Sequence, residues 1–260
     1  MRLTAAECLL QELGITEPKE IDLDAIAFHV GARVRYRPLE GCEARIIGAA
    51  DRAIITVNSG SIYARKRFSI AHELGHWHHH RGKCLVCRAE EYRPRDTLSP
   101  ERVADGYAAD LLLPNYLFRP LARQQPKLTF KAVSSLADAF TTSQTATAIR
   151  LVESDHTPSL LVCHGPKGRK WFAQAPSVPK RWFPQASLDA ESFAFGVLFG
   201  GKPDDPIPRK IGADAWFDRR EAERYELHEQ TYRTGPDEIL TLLTISDAKM
   251  LEDADRAAWR

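Results

Sequence analysis

Five of the nine histidines lie between positions 72 and 80, in the segment SIAHELGHWHHHRGK. There His72, Glu73 and His76 form an HExxH motif. Residues four apart on a helix lie on one face, so both imidazoles can ligate one metal ion. Glu73 would lie beside the metal, where it can take a proton from a metal-bound water and later give it to a leaving amine. The motif therefore predicts metal-assisted peptide hydrolysis, although a solvated helix face with this sequence is an open alternative.

Zinc suits this chemistry because three protein ligands leave a fourth position for water, whose pKa then falls to roughly 7. One Zn²⁺ ion is expected, with Mn²⁺ as the alternative metal. His80 lies about 12 Å along the helix axis from His72, too far to share an ion with it. A pairing of His80 with His76 would lose the position of the glutamate. His78, His79 and His80 are more typical of a solvated, cationic helix end.

The third ligand is expected on the next helix, in the segment ERVADGYAAD. Glu101 follows His76 by 25 residues, a separation that lets the chain return and lay a second helix beside the first. Asp105 is one turn later on the same face and could hold an imidazole in orientation. We assign Glu101 as the ligand; the alternative is a first-turn carboxylate favoured only by the helix dipole. For the oxyanion of the reaction, Tyr107 and His29 are candidates that also fit ordinary core or surface positions.

The elements that must position these residues can be predicted from periodicity and punctuation. A long helix runs from Ile62 to about Arg81 after an N-cap at 59–61, and Ser99 and Pro100 begin the next helix, which Pro114 ends. Shorter helices are expected at 4–13 and 23–31. The stretches ARVRYRP, ARIIGA and AIITVN indicate a small antiparallel sheet. The last of them, through Ile55, Val57 and Asn58, could hold an extended substrate by edge pairing.

Beyond the site, the sequence changes character twice. Helices at 129–140 and 143–153 flank a Thr-Thr-Ser turn and have the form of a helix-turn-helix. The segments SLLVCHG, KWFAQAP and ILTLLTIS indicate strands, with helical pieces near 188–199 and 219–229. We therefore predict an α+β protein, mainly helical at first, with a peptidase domain at 1–125, a helix-turn-helix-like segment at 126–155 and a smaller α+β domain at 156–260.

Composition excludes several classes of protein. With 36 basic and 35 acidic residues the net charge is +1, so a nucleic-acid partner is not expected, and the helix-turn-helix-like segment is expected to pack or to dock substrate. No apolar run is long enough to span a bilayer and the N-terminus lacks the pattern of a signal peptide, so we expect a cytoplasmic protein without membrane contact. The cysteines are expected to be free thiols. Cys84 and Cys87 could also form a second metal site or a redox pair.

Two stretches, VNSGSIYARKRFSIAHELGHWHHH and ERVADGYAADLLLP, resemble the ImmA/IrrE-type zinc metallopeptidases over about residues 20–150. Asp105 and Gly106 stand where that family often has asparagine and another residue, and Leu113 replaces a methionine. The resemblance implies a His-His-Glu zinc site of the gluzincin kind with Glu73 as general base. It also implies cleavage of helix-turn-helix repressors in stress or mobile-element responses, and in some relatives a GAF-like sensor domain follows.

The leading hypothesis is thus a zinc-dependent metalloendopeptidase acting on a helix-turn-helix transcriptional repressor. The alternative is a non-catalytic regulatory protein whose zinc site is structural and which binds a protein partner or DNA. The two differ in the metal's fourth position, which is open to water in the enzyme and taken by the protein in the regulator.

Overall fold

The computed structural model describes residues 2–80 and 99–252. The fold is α+β, as predicted, with helices concentrated in the N-terminal part and sheet in the C-terminal part. The chain divides into two compact units, Met1–Leu121 with Leu136–Ala146, and Ala122–Ser135 with Thr147–Arg260. These units divide the segment 126–155 between them, and the three-part division expected from the sequence stays a prediction.

The helices up to residue 153 lie where periodicity predicts them, except Asn115–Arg123, for which no helix was predicted. In chain order they are α1 Ala5–Glu12, α2 Leu23–His29, α3 Tyr63–His80, α4 Pro100–Leu112, α5 Asn115–Arg123, α6 Phe130–Phe140 and α7 Gln144–Glu153. Their caps are local: Thr4 and Glu7 form a capping box on α1, and the Ser99 hydroxyl accepts from the amide of Arg102 at 3.3 Å. The predicted helix start at Ser99 and Pro100 is confirmed.

Three strands form the sheet of the first unit, β1 Ala32–Arg37, β2 Ala44–Ala49 and β3 Arg52–Asn58, in the order β1-β3-β2. The sheet is mixed rather than wholly antiparallel, because β1 pairs with β3 in parallel while β2 pairs with it antiparallel. β3 is therefore the central strand. Its Ile55 and Val57 are fully buried, which favours the middle of the sheet over an edge.

This position makes the predicted edge pairing of substrate with Ile55, Val57 and Asn58 wrong, since both sides of β3 are already hydrogen bonded. Asn58 instead fixes the loops at the end of the strand. Its side-chain amide donates to the carbonyl of Leu39 at 3.2 Å and its carbonyl oxygen accepts from the amide of Gly60 at 3.1 Å.

The second unit is built on a five-stranded antiparallel sheet of order β5-β4-β8-β7-β6. Its elements are β4 Ser159–Gly165, β5 Gly168–Gln174, α8 Phe193–Leu198, β6 Arg209–Gly212, β7 Glu226–Gly235, β8 Glu238–Thr244 and α9 Ala248–Leu251. Of the helical piece expected near 219–229, Arg220–Arg224 form a 3-10 helix, whereas the residues from Glu226 onward begin β7. Glu229 and Thr231 are buried on β7, so the inward-facing positions of this strand are not all apolar. The sequence therefore lacks the alternation of apolar and polar residues that would have predicted the strand.

None of the helices in the described part of the chain combines the length and apolarity needed to cross a membrane.

Candidate metal centre

The contact between α3 and α4 places the candidate ligands. A Cβ added at Gly75 would lie 2.8 Å from Cα and 2.9 Å from the carbonyl oxygen of Ala104, so only glycine fits this crossing. Ala104 is fully buried. The crossing brings the first turn of α4 beside the histidine face of α3.

The other side of α3 is fixed to the sheet. Trp77 is buried, its indole N–H donates to the carbonyl of Val30 at 2.8 Å, and its ring lies where a side chain on Gly48 of β2 would be. Arg67, one of the residues shared with the resembled family, donates from Nη1 to the carbonyl of Ile21 at 3.0 Å. The helix is thus held on both faces, which sets the direction of its histidines.

Three ligand atoms converge at the helix crossing. His72 Nε2 lies 3.1 Å from His76 Nε2 and 3.1 Å from Glu101 Oε2, and His76 Nε2 lies 3.3 Å from Glu101 Oε1. Ligands bound tetrahedrally to one zinc at 2.0–2.1 Å are about 3.3 Å apart. The donor set of two imidazoles and one carboxylate therefore fits a zinc ion in both chemistry and spacing.

Asp105 orients the first histidine. Its Oδ1 lies 2.9 Å from His72 Nδ1, so the hydrogen-bond pattern assigns the proton to Nδ1 and turns the lone pair of Nε2 toward the other ligand atoms. Burial of His72 lowers its pKa, but the hydrogen bond and charge of Asp105, with smaller contributions from Glu73 and Glu101, outweigh burial and raise it above 6.5. A proton and a metal therefore compete for this imidazole.

Glu73 and His76 are almost completely buried, with 3% and 2% of their surface exposed. The side chains of His72 and Glu101 are more accessible, at 18% and 24%. The cluster thus has a buried side, which contains the candidate proton-transfer group, and a side open to solvent. Such an arrangement allows a reacting molecule to approach the three ligand atoms while the carboxylate of Glu73 stays sheltered.

Tyr107 lies against the two histidines that follow the motif. Its ring stacks on His78 with centroids 5.1 Å apart and meets the edge of His79 at 5.9 Å. Burial raises the pKa of its hydroxyl to about 12, so the hydroxyl stays protonated near neutrality. This stack joins residues far apart in sequence, and no pattern in the sequence signalled it. His29 is exposed at the end of α2.

The structure describes three of the five cysteines. Cys8, Cys42 and Cys163 are free thiols, as expected. Cys84 and Cys87, with the metal or redox roles considered for them, lie outside the described residues, and so does the side chain of His80.

Comparisons with known proteins give a family match and a fold match. The sequence pattern of the Peptidase M78 family, described as an IrrE N-terminal-like domain, matches residues 27–152. No curated protein matches the chain. A solved structure described as a Mycobacterium tuberculosis transcriptional regulator aligns with 93% of this chain and 74% of its own length, with a TM-score of 0.59 and 14% identity. That likeness shows a shared fold.

Proposed function

Residues 27–152 match the Peptidase M78 family, and from this we propose that the chain is a zinc-dependent metalloendopeptidase of that family. The observation that carries the proposal is the convergence of one donor atom each from His72, His76 and Glu101 within 4.8 Å. Three protein ligands are the number found in catalytic zinc sites, whereas structural sites usually have four.

Each residue has a task that its position supports. His72, His76 and Glu101 would hold zinc, which when bound polarises a carbonyl and lowers the pKa of water to roughly 7. Glu73, next in sequence to the first ligand, would take a proton from the attacking water and deliver it to the leaving amine. Asp105 would keep His72 in its ligating orientation. For Tyr107, whose ring lies against His78 and His79, we propose donation to the oxyanion.

The proposed substrate is a helix-turn-helix transcriptional repressor in a stress or mobile-element response, in the cytoplasm. Two findings support it: the resemblance to the ImmA/IrrE-type peptidases, and a fold neighbour that is described as a transcriptional regulator. For the 156–260 region we propose a GAF-like sensor that controls the peptidase. DNA and membranes are not proposed partners.

The test is to incubate the zinc-loaded protein with a helix-turn-helix repressor encoded beside its gene, and to follow fragments by mass spectrometry. The parent should cut at defined bonds, and a chelator should stop it. Glu73→Gln should keep one zinc per chain and lose cleavage. Equal cleavage by Glu73→Gln would refute the mechanism. If the protein cleaves unfolded casein but no such repressor, the proposed peptidase activity stands and the proposed substrate class is wrong.

The second candidate is a non-catalytic regulator with a structural zinc site that binds a protein or DNA. It is favoured by α6 and α7, whose lengths and short connection have the form of a helix-turn-helix. It requires a fourth protein ligand. Asp105, the other carboxylate on this face of α4, hydrogen bonds to Nδ1 of His72, on the far side of the ring from the cluster, and this supports the enzyme instead.

A further inference from the structure

One face of the sheet in the first unit is strongly basic. Side chains alternate along each strand, and one set, with Ile46, Ala53 and Ile55, is buried beneath α3. The opposite set is exposed and contains five arginines. We call this exposed set the basic sheet face; its arginines are Arg33, Arg35 and Arg37 of β1, Arg45 of β2 and Arg52 of β3.

An apolar pair lies in the middle of the basic sheet face. Ile54 of β3 is directly opposite Ile47 of β2, and both are exposed, at 37% and 61%. On its other side Ile54 is paired with Arg33. In the next outward row Thr56 lies between Arg35 and Arg45. The surface therefore has an apolar centre bordered by arginines on more than one side, which is the composition of protein interfaces.

No ion pair within the described residues neutralises the arginines of this face. The net charge of the whole chain is only +1, so positive charge is concentrated on this face. Like charges close together on a sheet destabilise it, and a partner with carboxylates would relieve that repulsion.

The apolar centre distinguishes between anionic partners. A phosphate backbone has no apolar group to bury against Ile47 and Ile54. Single-stranded bases would need aromatic rings to stack on, and the outward positions of β1, β2 and β3 hold none. An acidic protein segment with apolar side chains satisfies both the charge and the centre.

The dimensions fit one helix. Three strands about 4.8 Å apart give a face about 10 Å wide, and six or seven residues give a length of about 20 Å, whereas a helix with its side chains is about 10–12 Å in diameter. We propose that the basic sheet face docks an acidic amphipathic helix of a partner protein, with its apolar stripe on Ile47 and Ile54 and its carboxylates on the arginines. This surface does not involve the metal ligands, so the proposal is independent of the peptidase.

The probe is a fluorescein-labelled 18-residue peptide with leucines at helical spacing and glutamates elsewhere, with a scrambled peptide of the same composition and an 18-base-pair DNA duplex as comparisons. Fluorescence anisotropy with the full chain should give micromolar binding of the amphipathic peptide that weakens with salt. The scrambled peptide should bind about tenfold more weakly, because it cannot form an apolar stripe.

Substitutions separate the contribution of the arginines to binding from that of the apolar centre. Arg33→Glu with Arg35→Glu should weaken binding about tenfold or more, and Ile47→Ser about threefold or more. Lys167→Glu with Lys180→Glu makes the same change in net charge at two exposed lysines elsewhere and should leave binding unchanged, with folding of all variants checked by circular dichroism. The proposal is overturned if neither peptide binds, if the lysine variant weakens binding equally, or if the duplex binds more tightly than the peptide and is insensitive to Ile47→Ser.

Discussion

His72 is the residue whose chemistry depends most on its neighbours. Its Nε2 faces the other two ligand atoms and its Nδ1 is 2.9 Å from Asp105. Asp105→Ala should lower zinc affinity about 10- to 100-fold, the usual effect of losing such a partner, while Asp105→Asn, which keeps an acceptor, should lower it less. Competition with a chromophoric chelator at pH 8 measures both, with the exposed Glu12→Ala as control. Equal affinity in Asp105→Ala and the control would show that Asp105 does not support the ligand.

The raised pKa of His72 predicts how zinc binding depends on pH. Because Asp105 stabilises the protonated imidazole, zinc affinity should begin to fall at a higher pH than for an ordinary histidine, that is, above about 6.5. In Asp105→Asn the pKa should drop and the fall should move to lower pH, although affinity at pH 8 is weaker. Isothermal titration calorimetry across pH 5.5 to 8.5 checks this; a midpoint that does not move, or moves upward, contradicts it.

The same pair sets the sign of a stability effect in zinc-free protein. A group whose pKa is higher in the folded state stabilises that state below its unfolded pKa, and the effect is lost as pH rises through the folded value. Asp105→Asn should therefore lower the Tm of chelator-treated protein more at pH 5.5 than at pH 8. Thermal denaturation followed by circular dichroism measures the two differences, and a larger loss at pH 8 would contradict the assignment.

At this scale the sequence predicted the residues that one helical period or one helix packing can bring together. His72 with His76 follows from a four-residue spacing, and Glu101 with Asp105 from a second helix laid beside the first. Tyr107 against His78 depends on the rotation of α4 about its axis, which is set by the fit of Gly75 on Ala104. That fit depends on interatomic distances within a few tenths of an ångström, and no local sequence pattern encodes such distances.

At the scale of elements, the contact of α3 with α4 brings Glu101 to His72 and His76 and so forms the centre. In Gly75→Ala the new methyl would lie within 3 Å of Ala104 backbone atoms, so the helices must separate and the ligand atoms with them. Zinc affinity and Tm should both fall, by about 1–3 kcal/mol in stability as expected of overpacking.

Gly106→Ala is the matched control, because it places the same methyl on α4 with no atom within 4 Å. It should leave zinc affinity unchanged and raise stability by about 0.5–1 kcal/mol through helix propensity. Chemical denaturation and zinc competition on both variants decide the matter. If Gly75→Ala behaves like Gly106→Ala, the helix crossing does not control the site.

Elements with a strong local signal were predictable and those defined by distant pairing were not. Periodicity and caps located α1 to α4, α6 and α7 because each helix contains its own hydrogen bonds. No helix was predicted for α5, which contains Pro120. β3 lies between β1 and β2 because it pairs in parallel with β1, although β2 separates the two in sequence. The central position of β3 could therefore not be predicted from the sequence. The start of β7 was taken for helix because the inward side of the strand includes Glu229, whose carboxylate accepts from the amide of Ala194 and the indole of Trp216.

At the scale of the whole molecule, zinc should stabilise the unit that binds it. A ligand present at 100 times its dissociation constant adds about 2.7 kcal/mol to the folded state. Differential scanning calorimetry with zinc and with a chelator should therefore show a higher transition temperature with zinc in the parent and no shift in His76→Ala. A shift of the same size in His76→Ala would place the stabilising ion elsewhere.

The α+β class and its order, helices before sheet, followed from the change in pattern near residue 155. The division into compact units did not, because residues 122–135 belong with the second unit and 136–146 with the first. The boundary between the units falls inside α6, so a helix that is continuous in sequence contributes residues to both units. The same architecture at 14% identity in another protein shows how little of it depends on particular side chains.

The central claim is that three side chains bind one zinc and leave its fourth position to water. Anomalous diffraction at the zinc edge from crystals of the zinc-loaded protein tests it most directly. We predict one peak per chain, about 2.0–2.2 Å from Nε2 of His72, Nε2 of His76 and an oxygen of Glu101, with water as the remaining ligand. A peak at another site, or a fourth protein ligand in place of the water, would contradict the account.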